Sequence, residues 1–442
     1  MSRRVVITGV GPVTAFGIGI DPLWEAMLAG RSAIKRIEIF DPSGFPCKIA
    51  GELNSDLLNI RKIVPKSHRK AIKVMCRDIE LAVAAASAAV DDAGLITKAT
   101  DAEAEPTYAV ERMGCHIGAG LIAADVDELS AALYYSATGE DKTDLDLTHW
   151  GESGMENLTP LWLLKYLPNM LSCHVTIIHD CQGPTNTITC AEASGGLSIC
   201  ESMRVIQRGA SDACLSGAIE SKLNPMAFLR QHFAGRLAET SDGDDPTKVV
   251  RPFAPDAIGT AIGEGGGIVI LEELESAQKR NASVYAEIAG FAATQSQCPD
   301  ATGLCGDEDG QGISDAIDLA LERANLKAKD IDAIAPFGCG IKAVDQSEAA
   351  AIRRVFGERA ANVPLITTIP NVGNTNAGAF GVTIAVAAKA IGEQKLPARI
   401  NTTGAEGIDA NEAPAGDAQL NNVVATCTGQ GGQNVAIVLR KI

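Results

Sequence analysis

The chain has 442 residues, 46% hydrophobic and 21% charged, the composition of an ordinary globular protein, which excludes wholesale disorder. Its 38 Lys and Arg against 55 Asp and Glu leave a net charge of −17, which argues against nucleic-acid binding and against a polybasic membrane-surface role. Twelve cysteines form no Cys-x-x-Cys pair and no tight His/Cys cluster, so they read as reduced thiols, many of them small core residues, and no metal site is expected.

In chain order, Val5 to Thr8 predicts a buried strand entering a turn at Gly9, Gly11 and Pro12. Those residues break the apolar stretch after Arg3-Arg4 too early for an export signal. Lys70 to Ala93 predicts a helix, with Ile72, Met75, Cys76, Ile79, Ala82 and Val83 three and four apart and Gly94 at its end. Met113 to Ile117 reads as a strand. Thr138 to Asn157 carries Asp141, Asp144, Asp146 and Glu152 and reads as a solvated surface excursion, with partner contact as the alternative. Ala193 to Arg208 predicts a second helix, stopped by Gly209. Ala213 to Ser216, Gly267 to Leu271, Val284 to Ala289 and Asn434 to Leu439 read as further strands, and Gly404 to Ala418 as a loop.

Strands alternating with helices imply an α/β layered fold. A boundary near the acidic turn Ser241 to Asp245 gives two halves, 1–254 and 255–442, the first with an insertion at about 138–158. No run of 18 apolar residues occurs, so no membrane span is expected and the chain reads as cytoplasmic. Gly9-x-Gly11 lacks the third Gly of a dinucleotide fingerprint and no Gly-Lys-Ser/Thr follows a Gly loop, so no nucleotide or other cofactor is expected.

Several blocks then fall in one order: Arg4-Val-Val-Ile-Thr-Gly-Val-Gly, Leu167-Pro168-Asn169-Met170, Gly183-Pro184, Ala193-Ser194-Gly195, Arg251-Pro252-Phe253, Gly263-Glu264-Gly265-Gly266-Gly267, and Gly429-Gln430-Gly431-Gly432. This order and spacing resembles the β-ketoacyl-[acyl carrier protein] synthases of the thiolase superfamily over essentially the whole chain. The resemblance implies a duplicated αβαβα five-layer fold, an obligatory dimer, and an active site between the halves. It also implies a Cys nucleophile at a helix N-terminus, because the thiolate attacks a thioester, and two His residues from the C-terminal half.

The chain departs from that pattern at each catalytic position. Eight residues after Pro184 and two before Ser194, where the resemblance places the nucleophile, stands Glu192. Counting back from Asp345 and Glu348 puts Phe337 at the first His, and Asn374 stands at the second. Gln346 replaces the Lys after the Asp. The six histidines, at 68, 116, 149, 174, 179 and 232, leave none in the C-terminal half, so condensation by the family's usual mechanism is not expected of this chain. In the oxyanion loop that the resemblance implies, Gly429-Gln430-Gly431, Thr428 and Gln430 replace two gating Phe residues, and Glu192 reads either as filling the position of a thioester carbonyl or as a helix-end acid with no ligand role. Lys66, Arg69 and Lys70, with His68 and Lys73, fall where the resembling enzymes dock an acyl carrier protein, with a solvated helix face as the other reading.

Such a chain looks like a chain-length-factor subunit, which pairs with an active ketosynthase as a heterodimer. The alternatives are an acyltransferase using Cys190 or Cys339, and a homodimer that holds an acyl carrier or acyl ligand.

Overall fold

The computed structural model describes residues 3–297 and 307–442. In chain order its principal elements are β1 (Val5–Thr14), α1 (Arg77–Ala93), β2 (Met113–Gly118), α2 (Met170–His179), β3 (Thr185–Asn186), α3 (Ser194–Gln207), β4 (Ala213–Glu220), α4 (Pro225–Phe233) and β5 (Gly265–Glu273). There follow β6 (Ala286–Gln295), α5 (Gln311–Arg323), β7 (Ala333–Ala335), α6 (Lys342–Phe356), α7 (Ala379–Glu393), β8 (Asn422–Thr428) and β9 (Gln433–Arg440).

The sheets repeat one topology. The first runs β3-β2-β4-β5-β1, with β5 antiparallel to both neighbours. The second runs β7-β8-β9-β6, with β9 antiparallel to both neighbours, and Leu365 bridges Ile334 beyond β7 as the remnant of a fifth strand. Numbered within each repeat, the order is third, second, fourth, fifth, first in both. The sheets join where Val6 and Ile7 of β1 pair with Glu287 and Ala286 of β6. Helices α3 and α7 lie between the sheets, α1 and α2 cover the first, and α5 with α6 covers the second, which makes five layers. Helix α7 is buried on nearly every side, as its all-round apolar sequence requires of a central layer.

Two expectations shift. Gly9 and Gly11 do not turn the chain: β1 runs through them to Thr14. A Cβ on Gly9 would stand 2.4 Å from the carbonyl oxygen of Ala89, and one on Gly11 2.2 Å from that of Ala85, so these glycines admit α1 against the strand. The helix expected from Lys70 starts at Arg77. Residues Lys66–Val74 form a 3-10 stretch and Met75 is extended, because Lys66, Arg69, Lys70 and Lys73 repel at helical spacing while Met75 turns into the core. The sheet of the first repeat is completed by β5, and the two sheets meet through β1 and β6.

The excursion around 138–158 is folded. The strands Ala137–Thr138 and Asp144–Leu145 pair, helical turns run from Leu147 to Asn157, and Asp146 caps them by accepting the Thr148 N–H at 2.7 Å. Among the described residues ten cysteines are free thiols; Cys298 and Cys305 lie outside them. No described helix is long and apolar enough to cross a membrane, and no described His/Cys/Asp/Glu group could hold a metal ion.

Candidate functional site

The segment before α3 is a tight turn that projects one side chain. Ala191 has φ 47°, the Cys190 N–H donates to Ser194 Oγ at 2.8 Å, and Ser194 Oγ donates back to the Ala191 carbonyl at 2.6 Å. The turn puts Glu192 at the mouth of α3 between the two repeats, 2% exposed. One Glu192 oxygen accepts from the guanidinium of Arg236, itself 1% exposed, and the other accepts the Gln430 N–H at 2.8 Å. The Cys427 thiol donates to the Glu192 carbonyl at 3.3 Å.

The loop Gly429-Gln430-Gly431 reaches Glu192 because its first residue has no side chain. A Cβ on Gly429 would lie 2.8 Å from the Cys190 carbonyl oxygen. The Gly429 N–H donates to Gln433 at 2.7 Å, and Gly431, at φ 104°, accepts from Gln295 Nε2 at 2.6 Å. Thr428 ends β8 half-buried at the start of this loop.

Phe337 lies 3% exposed on a loop strapped by two carboxylates of α6. Glu348 accepts the N–H groups of Phe337 and Gly338, each at 2.9 Å, and the Thr426 hydroxyl at 2.7 Å. Asp345 accepts those of Cys339, Gly340 and Phe253 at 2.8–2.9 Å. Burial pushes Glu348 up to about 7 and Asp345 up to about 6, against the pull of these donors. Asn374 forms an isolated bridge with Ile262 before α7: its N–H donates to Ala261, its Oδ1 accepts the Asn376 N–H at 2.8 Å, and its Nδ2 is buried with no partner.

A cavity of about 380 Å³ opens beside this cluster, lined by Glu192, Gln430, Glu220, Lys222, Gln231 and Asn376 among others. Glu220 is fixed by Lys222 and by the Ala377 N–H at 2.9 Å. The structure therefore brings Glu192, Gln430 and Gly429 together. Gln346 is exposed and lines a separate depression of about 280 Å³ with Lys342, Arg353 and Glu406, away from that cavity. Lys66, Arg69 and Lys70 stand exposed on the 3-10 stretch and, among the described residues, have no ion-pair partner. Arg236, Glu220 and Lys222 were not singled out from the sequence: an Arg between Gly235 and Leu237 carries no signal that it is buried, and only its pairing with Glu192 reveals it.

Neither sequence-proposed thiol is arranged as a nucleophile. Cys339 is fully buried, its thiol lies 3.4 Å from Asp345, and burial raises it well above the usual thiol range. Burial also raises Cys190.

Comparison with known proteins agrees with this layout. The family models for the beta-ketoacyl synthase N-terminal domain and C-terminal domain match residues 2–277 and 285–403. A Streptomyces halstedii protein whose name carries polyketide beta-ketoacyl synthase 1 is 31% identical over 99% of this chain and 98% of its own. A 3-oxoacyl-[acyl-carrier-protein] synthase 2 of Coxiella burnetii is 31% identical over 100% of this chain and 99% of its own. The solved ishigamide ketosynthase/chain length factor superposes with a TM-score of 0.81 at 27% identity, covering 100% of both chains.

Proposed function

Given that the chain belongs to the β-ketoacyl synthase family, we propose that it is a catalytically degenerate member, a chain-length-factor-like subunit that pairs with an active β-ketoacyl synthase in polyketide or fatty-acid synthesis. The observation that carries this reading is the carboxylate of Glu192 resting on the Gln430 N–H. Condensation needs a thiolate to accept an acyl group, N–H donors free for the thioester carbonyl, and imidazoles for the decarboxylation step. Here a carboxylate stands at the nucleophile position, one loop donor is taken by it, and the C-terminal repeat has no histidine.

The buried Arg236–Glu192 pair makes this arrangement a fixed part of the fold, since removing either partner strands a charge. A subunit closed in this way keeps the family's surfaces: the exposed Lys66, Arg69 and Lys70 suit an acidic carrier protein. The cavity beside Glu192 is bordered by Gly120 and Leu121 and is available to shape a chain that grows in the partner.

The test is reconstitution. The purified chain with acyl- and malonyl-carrier protein yields no condensation product, and adding a ketosynthase subunit from the same cells yields product whose length changes with substitutions at Leu121 or Gln231. Condensation by the chain alone overturns the proposal.

A further inference from the structure

A second cavity, of about 780 Å³, opens where α1 begins. Its floor is apolar: Leu53, Met75, Ile122 and Leu223 line it, and all four are buried. It is separate from the cavity beside Glu192, although the same two segments wall both. Gly120 and Leu121 line the Glu192 cavity, while Ile122 and Ala123 line this one. Glu220 and Lys222 line the first, while Ser221 and Leu223 line the second.

The charges around this cavity do not balance. Lys35, Arg77 and Lys165 line it, and each already holds a carboxylate: Lys35 pairs with Glu38 at 2.5 Å, Arg77 with Glu264 at 2.8 Å, and Lys165 with Glu128. Asp78, Asp125 and Asp127 line it with no ion pair among the described residues. Asp78 is the deep one, 4% exposed. Its Oδ1 accepts the Ser221 N–H at 3.0 Å, and its Oδ2 has no hydrogen-bond partner among the described residues. Lys222, whose charge also reaches Asp78, is committed to Glu220. A carboxylate buried in this way is costly until a cation or a donor meets it.

We propose that this cavity binds a small organic amine, with its ammonium on Asp78 Oδ2 and its hydrocarbon part on Leu53, Met75, Ile122 and Leu223. The site is independent of the heterodimer reading above. Charge and floor together select the ligand. An anion meets unpaired carboxylates and no free cation among the described lining residues. A neutral alkyl chain covers the floor and leaves Asp78 alone. An amphipathic cation satisfies both, and the exposed Asp125 and Asp127 add to its attraction. The volume suits a small-molecule site.

The test is calorimetry at pH 8, where Asp78, raised by burial to about 7, is ionised. Hexylamine, ethylamine, hexanol and hexanoate are each titrated into the purified chain. One hexylamine is expected to bind per chain, about tenfold or more tighter than hexanol, which lacks the charge, or ethylamine, which lacks the hydrocarbon. Hexanoate is expected not to bind. Asp78→Asn keeps the acceptor for Ser221 and is expected to bind hexylamine no better than hexanol. Hexylamine that binds wild type no tighter than hexanol, or does not bind at all, overturns the proposal, and that comparison needs no variant to fold. Asp78→Asn that binds hexylamine as wild type does also overturns it, since the amine then sits elsewhere on an acidic chain. Each of these results leaves the heterodimer reading untouched.

Discussion

The Gln430 N–H donates to Glu192 Oε2 at 2.8 Å, so the Gly429-Gln430-Gly431 loop is closed on the chain's own carboxylate. The other oxygen of that carboxylate neutralises Arg236 in the interior. Both contacts come from one side chain at the mouth of α3.

Removing the carboxylate has a cost set by what it leaves behind. Glu192→Ala strands the Arg236 guanidinium 1% exposed and is expected to destabilise the protein by roughly 3–5 kcal/mol. Replacing both members, Glu192→Leu with Arg236→Met, removes the buried charges together and is expected to cost far less. Urea unfolding of the two variants checks the pattern, and equal losses for the single and the double variant contradict it.

On the proposed reading, a thiol at position 192 is not enough for condensation. Glu192→Cys is expected to take an acyl label from acyl-carrier protein, visible as a mass adduct, and to form no condensation product, because the C-terminal repeat holds no histidine. The unmodified chain, with Cys339 buried and Cys190 raised by burial, takes no label.

Stability carries a pH signature from the buried carboxyl of Asp78, which burial raises to about 7 while its Oδ1 accepts the Ser221 N–H at 3.0 Å. A carboxyl raised on folding keeps its proton longer in the native state than in the unfolded chain. Its contribution is therefore complete below pH ~4 and is lost as pH rises through about 7. Asp78→Asn keeps the acceptor and removes the titration, so its stability relative to wild type is expected to improve from pH ~4 to about 7 and to level off above that. Unfolding midpoints across that range decide it, and a constant difference contradicts the assignment.

Carrier binding is expected to depend on the 3-10 stretch. Lys66→Glu/Arg69→Glu/Lys70→Glu reverses three exposed cations and should weaken affinity for an acidic carrier protein by about tenfold or more at low salt, with the difference shrinking as salt rises. Calorimetry at two salt concentrations measures both.

Much of the layout was legible because the signals were local. Gly94 and Gly209 end their helices as read, and the alternating apolar blocks mark most long strands. Short or fully buried elements were not readable: β3 is two residues and β7 three, too brief for a period, and α7 is apolar all round, so it has no face to betray it. The glycines of β1 were misread for a physical reason, since close approach of a helix and a tight turn both demand Gly and only the packing of Ala85 and Ala89 tells them apart. Glu192 could be placed by counting between motifs. Its partner Arg236, 44 residues further on, could not, because a long-range ion pair leaves no spacing in the sequence.

The measurement closest to the central claim is native mass spectrometry of the protein purified under mild conditions from its own cells. A one-to-one complex with a ketosynthase that carries the Cys and both His residues is the expected result. A homodimer as the only assembled species contradicts the chain-length-factor role.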